Sequence, residues 1–165
     1  MFTTPQEAIA YSLRTSKLMF HRFIDDLKPE EFLHRPCLGA NCAAWIVGHL
    51  TRTDRGQLKA FGASQLPEVS EAFVEQFAAT RMAATGTTAE FGPPQELVHL
   101  FDLHRDLLIE QTIQMPTQQL TKAAPWASPL FGDWSEALLF MGLHTAMHMG
   151  QLSMIRRSLG RPPVA

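Results

Sequence analysis

Hydrophobic residues recur with the period of an amphipathic helix in four long stretches of the chain. The first stretch begins at Thr4, a good N-cap, which is followed by Pro5 at the first helical position and by Glu7. This order predicts a capping box and a helix that runs to about Leu27. A short helical turn is expected at Pro29, before a loop.

The other three stretches also have recognisable starts and stops. Asn41 is the expected N-cap of the second helix, which covers the segment NCAAWIVGHLTRTDRGQLKAFG. Pro94 introduces the third helix, and Pro116 stops it. Asp133 should cap the fourth helix, which ends just before Gly160.

The segments between these helices read as loops. Residues 63–94 are rich in Ser, Thr, Gly and Pro, with one short amphipathic piece at 71–77, and form a long crossover that could close over a site. A second loop, 115–132, contains Trp126. No stretch has the pattern of a strand. The sequence therefore predicts an all-α four-helix bundle, with residues 1–165 as one domain.

Composition and charge exclude several classes of function. The chain is 45% hydrophobic and 18% charged, which is typical of globular proteins. Its net charge is -2 and its basic residues are scattered, unlike those of a nucleic-acid-binding protein. No apolar run of about 18 residues exists, and the N-terminal residues lack the pattern of a signal peptide. We therefore expect a cytoplasmic protein that binds neither nucleic acid nor membrane.

The two cysteines, Cys37 and Cys42, form no recognised motif, because four residues separate them. Reduced thiols are the expected state in the cytoplasm. A reactive role for Cys42, near the predicted start of the second helix, is an alternative to simple packing.

The most informative chemical feature is a pair of histidines, His144 and His148, in the segment HTAMHMGQ. Residues four apart on a helix point the same way, so both imidazoles could offer a lone pair to one divalent cation. The chain has 7 His, however, and such a spacing often arises by chance. Two hydrogen-bonded or surface imidazoles are therefore the alternative interpretation.

His49, on the second predicted helix, is a third histidine in an apolar setting. Trp45 and Ile46 precede it by about one turn, and the other two histidines share their face with Met141 and Leu152. All three imidazoles are therefore expected to face the interior. Buried imidazoles without partners are costly, so three that converge from two helices require hydrogen bonds, water or a metal.

These motifs carry a family resemblance. The segment ANCAAWIVGHL, followed much later by HTAMHMGQL, resembles the paired signature of the DinB-like superfamily of helical metalloproteins. The preceding LKPEEFLHRP segment and the helix spacing are similar too, so the resemblance covers nearly the whole chain. It implies an up-down-down-up bundle, frequently a homodimer, and a divalent metal held by His49, His144 and His148.

The resemblance also implies a set of reactions. Members include transferases and isomerases that depend on glutathione, bacillithiol or mycothiol, and some are described as metal-dependent hydrolases. Three neutral imidazoles suit Zn²⁺ or Ni²⁺ and leave positions open for water or a substrate thiolate. We therefore expect a metal-dependent enzyme of the small-thiol S-transferase type that acts on a small molecule. A metal-dependent hydrolase and a non-catalytic helical dimer with a binding or stress-related role are the alternatives.

Several further residues are weaker candidates. Gln151, one turn beyond His148, could act in catalysis by orienting water at the metal, or could make an interhelical hydrogen bond. Gly150 is expected to allow close helix packing. His99 and His104 are five residues apart on the third helix, so at most one of them can face a site.

Charged residues leave other possibilities open. An iron site of two histidines and one carboxylate would need Asp54 or Asp102 to approach the histidines. Three arginines could bind the carboxylates of a substrate, or could be solvated surface charges: Arg52, Arg55 and Arg156. His21 and His34 are expected to be structural or exposed to solvent.

Overall fold

The structure, a computed structural model, describes residues 1–79, 91–126 and 128–164. Within these ranges the regular elements are helices and one isolated β-bridge, so the all-α prediction is confirmed. The long helices are α1 (Pro5–Ile24), α2 (Ala43–Ala60), α4 (Pro94–Gln114) and α6 (Trp134–Ser158). The short ones are α3 (Glu71–Gln76), α5 (Thr117–Leu120) and a 3-10 turn (Pro29–Leu33).

The start of α1 follows the prediction, whereas its end does not. The Thr4 hydroxyl accepts a hydrogen bond from the backbone N–H of Glu7 at 3.2 Å, as an N-cap should. The Glu7 carboxylate reaches back to the backbone N–H of Thr3, rather than to Thr4, at 2.7 Å. The helix ends at Ile24, before the predicted end near Leu27.

Pro29 limits how far α1 can run along the chain. Pro29 opens the 3-10 turn, and the residue before a proline is pushed out of helical geometry. Lys28 is accordingly extended, with ψ 154°, so the chain must leave the helix before it. The predicted helical turn at Pro29 is confirmed.

The N-cap prediction for α2 is wrong. Cys42 occupies that position, and its side chain makes no capping hydrogen bond. The Asn41 amide instead donates a hydrogen bond to Oε1 of Gln151 on α6 at 3.2 Å. The side chain predicted to cap α2 therefore makes a tertiary contact. At α6 the prediction holds, because Asp133 accepts from the backbone N–H of Glu136.

The short amphipathic piece of the crossover forms the helix α3. Ser70 caps α3 by accepting a hydrogen bond from the backbone N–H of Phe73. The part of the predicted crossover at 80–90 lies outside the described residues. The short helix α5 was not predicted, because four residues are too few to show a helical period.

The apolar core consists of two clusters. The Trp45 cluster includes Phe20, Ile24, Trp45, Leu50, Phe77, Phe101, Leu152 and Ile155. The Met141 cluster includes Ile9, Leu13, Leu58, Leu108, Leu138 and Met141. All four long helices contribute to both clusters, and each places a buried polar side chain between them. These four residues, which we call the polar layer, are Ser16, Asp54, Arg105 and Thr145.

Hydrogen bonds from Arg105 connect the polar layer. Its Nε and Nη2 donate to the two carboxylate oxygens of Asp54 at 2.7 and 3.0 Å. Its remaining bonds reach the hydroxyls of Ser16 and Thr145 at 3.1 and 3.0 Å. Burial raises the pKa of Asp54, and the guanidinium opposes that shift. The bidentate geometry suits an ionised pair that joins all four long helices.

A second ionic cluster joins α1 to α4 near the surface. His21 lies 2.8 Å from both Asp102 and Asp25. The hydrogen bond with Asp102, supported by that with Asp25, raises the pKa of His21 to about 9. Lys17 also pairs with Asp102, at 3.0 Å. His21 is therefore a structural residue, as expected.

The two cysteines are free thiols, with Cys37 exposed and Cys42 fully buried. Burial raises the pKa of the Cys42 thiol, which argues against a reactive role and favours packing. Among the described helices, none combines the length and the apolar character that a transmembrane span requires.

We expect Arg105→Met to lower the free energy of unfolding by about 3 to 5 kcal/mol, because it leaves the Asp54 carboxylate buried without its partner. The double variant with Asp54→Leu should regain much of that loss, since neither charge remains. Urea unfolding followed by circular dichroism measures both changes. Arg22→Met, at an exposed arginine, is the control and should be nearly neutral. Wild-type stability in the single variant would contradict the role assigned to the layer.

Candidate metal centre

The three predicted ligands meet beside the polar layer. His49 comes from α2, while His144 and His148 come from successive turns of α6. Their ring centroids are 4.7 to 5.2 Å apart, and one nitrogen of each ring lies within 4.8 Å of the others. The structure therefore brings together side chains that the sequence separates by about a hundred residues.

The orientation of His49 is fixed on two sides. Its Nδ1 lies 2.9 Å from the carbonyl oxygen of Phe77, which follows α3. Because a carbonyl can only accept, Nδ1 carries the proton and Nε2 keeps its lone pair. The ring also stacks on Trp45, with centroids 4.6 Å apart and planes 10° from parallel. This arrangement presets the tautomer that a metal ligand needs.

The other two imidazoles approach each other closely. Nδ1 of His148 lies 3.2 Å from Oε1 of Gln151, and its Nε2 lies 3.1 Å from Nε2 of His144. Two nitrogens bound to one tetrahedral Zn²⁺ would be about 3.3 Å apart. His144 stacks on Phe140, and its buried Nδ1 has no partner in the described structure. The spacing of the two nitrogens therefore fits a shared cation.

The electrostatic setting keeps the three imidazoles neutral. Burial, reinforced by the neighbouring imidazoles, lowers the pKa of His144 to about 3. Burial and the nearby His49 lower that of His148 to about 4. Burial also lowers the pKa of His49, and the positive charge of Arg52 adds to the shift. Neutral imidazoles are the form that binds metals, so the site needs no proton loss at neutral pH.

Gln151 connects the candidate ligand His148 to the segment before α2. Its Oε1 accepts from Nδ2 of Asn41 and lies at the same distance, 3.2 Å, from Nδ1 of His148. The bond with Asn41 joins α6 to the segment before α2, so it is not the interhelical hydrogen bond that the sequence offered as an alternative. The orienting of water by Gln151 stays a prediction.

The remaining candidates lie elsewhere. Asp54 is paired with Arg105, and Asp102 is paired with His21. Neither carboxylate belongs to the group formed by His49, His144 and His148. Within the described ranges, the three histidines are the group whose ligand atoms are close enough for a metal. His104 is buried, with its Nδ1 2.8 Å from the Leu100 carbonyl. His99 lines a separate cavity.

Phe77 was not among the residues predicted for the site, although Gly48 is a local sign of its close packing. A Cβ added to Gly48 would lie 2.3 Å from the Phe77 ring, so only glycine at this position leaves room for the ring. The expectation for Gly150 is wrong, because nothing lies within 4 Å of a Cβ added there. On α6 the close approach is at Gly142, which contacts Ser12 of α1.

A cavity of about 570 Å³ opens beside the histidines. His49 and His144 line its inner end, and side chains of α2, α3, α6 and the loop before α6 form its walls. A small molecule in this cavity would touch two of the three candidate ligands. The size is within the range of typical ligand sites.

A comparison with known protein families agrees with this geometry. A family model described as the DinB superfamily matches residues 13–152, which include all three histidines. A search of curated proteins found no match to the sequence.

We expect Gly48→Ala to weaken binding of Zn²⁺ by about tenfold or more, because the added methyl displaces Phe77 and removes the hydrogen bond that orients His49. Chelator competition measures the affinity, and thermal unfolding checks the fold. Gly56→Ala is the matched control, since it adds the same methyl to the same helix in open space. Equal affinities of the two variants would show that Phe77 does not position the ligand.

Proposed function

The chain belongs to the DinB superfamily, and we propose that it is a divalent-metal-binding protein in which His49, His144 and His148 hold the metal. The observation that carries the proposal is the convergence of three neutral imidazole nitrogens within 4.8 Å of one another. The hydrogen bonds to Phe77 and Gln151 support it, because each engages Nδ1 of its histidine, so that Nε2 can keep the lone pair that a cation needs.

We propose Zn²⁺ or Ni²⁺ as the metal. Three imidazoles without a carboxylate suit these ions better than iron or magnesium. Asp54 and Asp102, the carboxylates that could have completed an iron site, are paired with Arg105 and His21. This pairing argues against the site of two histidines and one carboxylate.

For the reaction, we propose transfer of a small thiol to an electrophilic acceptor. A new bond forms between the sulfur and the acceptor, the leaving group departs with its electron pair, and the thiol proton passes to solvent. A divalent metal, when bound, lowers the pKa of a thiol or a water molecule. The chain's own contribution is to hold that metal with three side chains, which leaves room for a substrate, and to offer the adjacent cavity for the acceptor.

Two alternatives use the same residues. A metal-dependent hydrolase would need the same open site but no thiol. A non-catalytic helical dimer would use the site for binding or for stability. The cavity beside the histidines favours an enzyme over the non-catalytic alternative, because it gives a small molecule access to the site.

We further propose that the four long helices form an up-down-down-up bundle. The support is the order of the two apolar clusters along each helix. Helices α1 and α6 run from the Met141 cluster to the Trp45 cluster, whereas α2 and α4 run from the Trp45 cluster to the Met141 cluster. This is the order of directions that the family resemblance implies.

A cytoplasmic location belongs to the same proposal. The two free cysteines support it, since an exposed thiol such as that of Cys37 persists in a reducing compartment.

We also propose that two copies of the chain associate through α1 and α6. Four exposed apolar side chains recur along one side of α6: Leu139, Leu143, Met147 and Met154. On α1, Tyr11 and Leu18 are more than half exposed. Tyr11 and Leu143 are the chain neighbours of Ser12 and Gly142, which touch where the helices meet. Such a patch on a soluble monomer would be unusually apolar, and a second copy would cover it symmetrically.

Mass spectrometry on untagged protein tests the metal proposal. We expect about one Zn²⁺ or Ni²⁺ per chain, and loss of that metal in His49→Ala and in His148→Ala, because each variant leaves only two ligands. The control is His99→Ala, which removes an exposed imidazole from α4 and should keep the metal. The proposal would be refuted by wild-type protein that contains no metal and also fails to bind Zn²⁺ or Ni²⁺ when these ions are added.

Turnover of the metal-bound protein then separates the reactions. Consumption of a small thiol in the presence of a chloroarene acceptor supports the transferase, provided that both histidine variants are inactive. Cleavage of a nitrophenyl ester without added thiol supports the hydrolase. Bound metal without turnover of either probe would favour the non-catalytic alternative.

Light scattering after gel filtration tests the dimer. We expect a mass of about twice the 18.5 kDa of the chain. Leu143→Glu combined with Met147→Glu should give a monomer, because four buried charges would face one another across a symmetric interface. Ile113→Glu, at an exposed apolar residue of α4, is the control and should stay dimeric. A monomeric wild-type protein would contradict this proposal.

A further inference from the structure

The cavity beside the histidines has two chemically different walls. One wall belongs to α2 and carries three cations: Arg52, Arg55 and Lys59. The other is aromatic and comes from α6 and the loop before it: Trp126, Phe131 and Phe140. A ligand that fits both walls must be negatively charged at one side and apolar at the other.

The two arginines are held in place by neutral groups. Arg52 donates from Nε to the carbonyl of Val74 at 2.9 Å, and Arg55 donates from Nη1 to the carbonyl of Pro67 at 2.7 Å. In the described part of the chain, neither arginine forms an ion pair with a carboxylate, and Nε of Arg55 is buried without a partner. Both guanidinium groups are thus positioned, and each has N–H donors left for an anion.

Three other partly or fully buried arginines behave differently. Arg105 pairs with Asp54, Arg156 pairs with Asp26, and Arg161 pairs with Glu31. Arg156, which the sequence offered as a third candidate, is thereby removed from consideration. Arg52 and Arg55 face the cavity and have no carboxylate partner among the described residues, which points to an anion supplied by a ligand.

Gln57 gives an independent indication of a polar ligand. It lines the cavity and is only 3% exposed, and its Oε1 has no hydrogen-bond partner in the described structure. Its Nε2 makes only a weak contact with the sulfur of Met141, at 3.6 Å. Buried side-chain oxygens are normally hydrogen-bonded. We therefore expect Oε1 of Gln57 to accept a hydrogen bond from an N–H or O–H group of a ligand in the cavity.

We propose that this cavity binds a small organic acid as the substrate of the site. Arg52 and Arg55 bind its carboxylate, Gln57 accepts a hydrogen bond from an N–H or O–H group of the acid, and the aromatic wall covers its apolar body. The inner end of the cavity, at His49 and His144, then receives the part of the molecule that reacts. That this acid is a substrate rests on the proposed function, whereas its binding by the two arginines does not.

Calorimetric titration with N-acetylphenylalanine, and with its neutral amide, tests the proposal on the full chain. Both metal-free and Zn²⁺-treated protein are used. We expect the acid to bind at least about tenfold more tightly than the amide in both preparations, because only the acid pairs with the guanidinium groups. Arg52→Gln combined with Arg55→Gln should abolish this preference. Arg22→Gln, at an exposed arginine outside the cavity, should keep it.

Both arginines also hold backbone segments, at Val74 and Pro67, so the double variant could lose binding because its fold changes. Single Arg52→Lys and Arg55→Lys variants separate this effect from the loss of charge. They keep the charge but lose the bidentate geometry, so we expect an intermediate preference for the acid. Circular dichroism confirms the fold of each variant.

Equal affinities for the acid and the amide would overturn the proposal. So would a preference that needs Zn²⁺, is lost in His148→Ala and survives in the arginine variants, because the metal would then bind the carboxylate. Failure of the proposed function looks different: the acid would bind through the arginines to a protein that takes up no metal.

Discussion

The buried ion pair between Arg105 and Asp54 is the interaction on which the rest of the structure depends. It lies between two apolar clusters, and its hydrogen bonds to Ser16 and Thr145 reach the other two long helices. A charge pair without access to water tolerates little displacement, because a shift of one helix would leave a buried charge unmatched. The pair therefore fixes how the helices are aligned along one another. It also fixes the position of His144, because Thr145, its chain neighbour, bonds to Arg105.

The histidine site uses this fixed frame and adds its own constraints. Burial keeps the imidazoles neutral, while the Phe77 carbonyl and the Gln151 amide engage the nitrogens that face away from the centre. The Phe77 carbonyl comes from the crossover rather than from a long helix, and Gly48 makes room for its ring. A connection that the sequence marks as a loop thus contributes directly to the geometry of the candidate ligand His49.

Charge distribution separates the structural sites from the proposed binding site. The ion pairs at Arg105 and Arg156 neutralise charge within the protein, so these arginines hold helices together. Among the described residues, Arg52 and Arg55 of the cavity donate to backbone carbonyls and pair with no carboxylate, so their charge stays available to a ligand. Oε1 of Gln57, which has no partner in the described structure, lines the same cavity next to the candidate ligands His49 and His144.

The sequence by itself determined the local features of the structure, which are helix caps and the inward faces of helices. The caps at Thr4 and Asp133 follow from side chains that bond to a backbone N–H three residues away, and helical spacing placed three histidines on inward faces. Only the tertiary structure decided which distant groups meet. Asn41 does not cap α2 and instead donates a hydrogen bond to Gln151 on α6. Arg105 bonds to side chains on three other helices. No local pattern encodes such contacts, because they arise only when the helices pack.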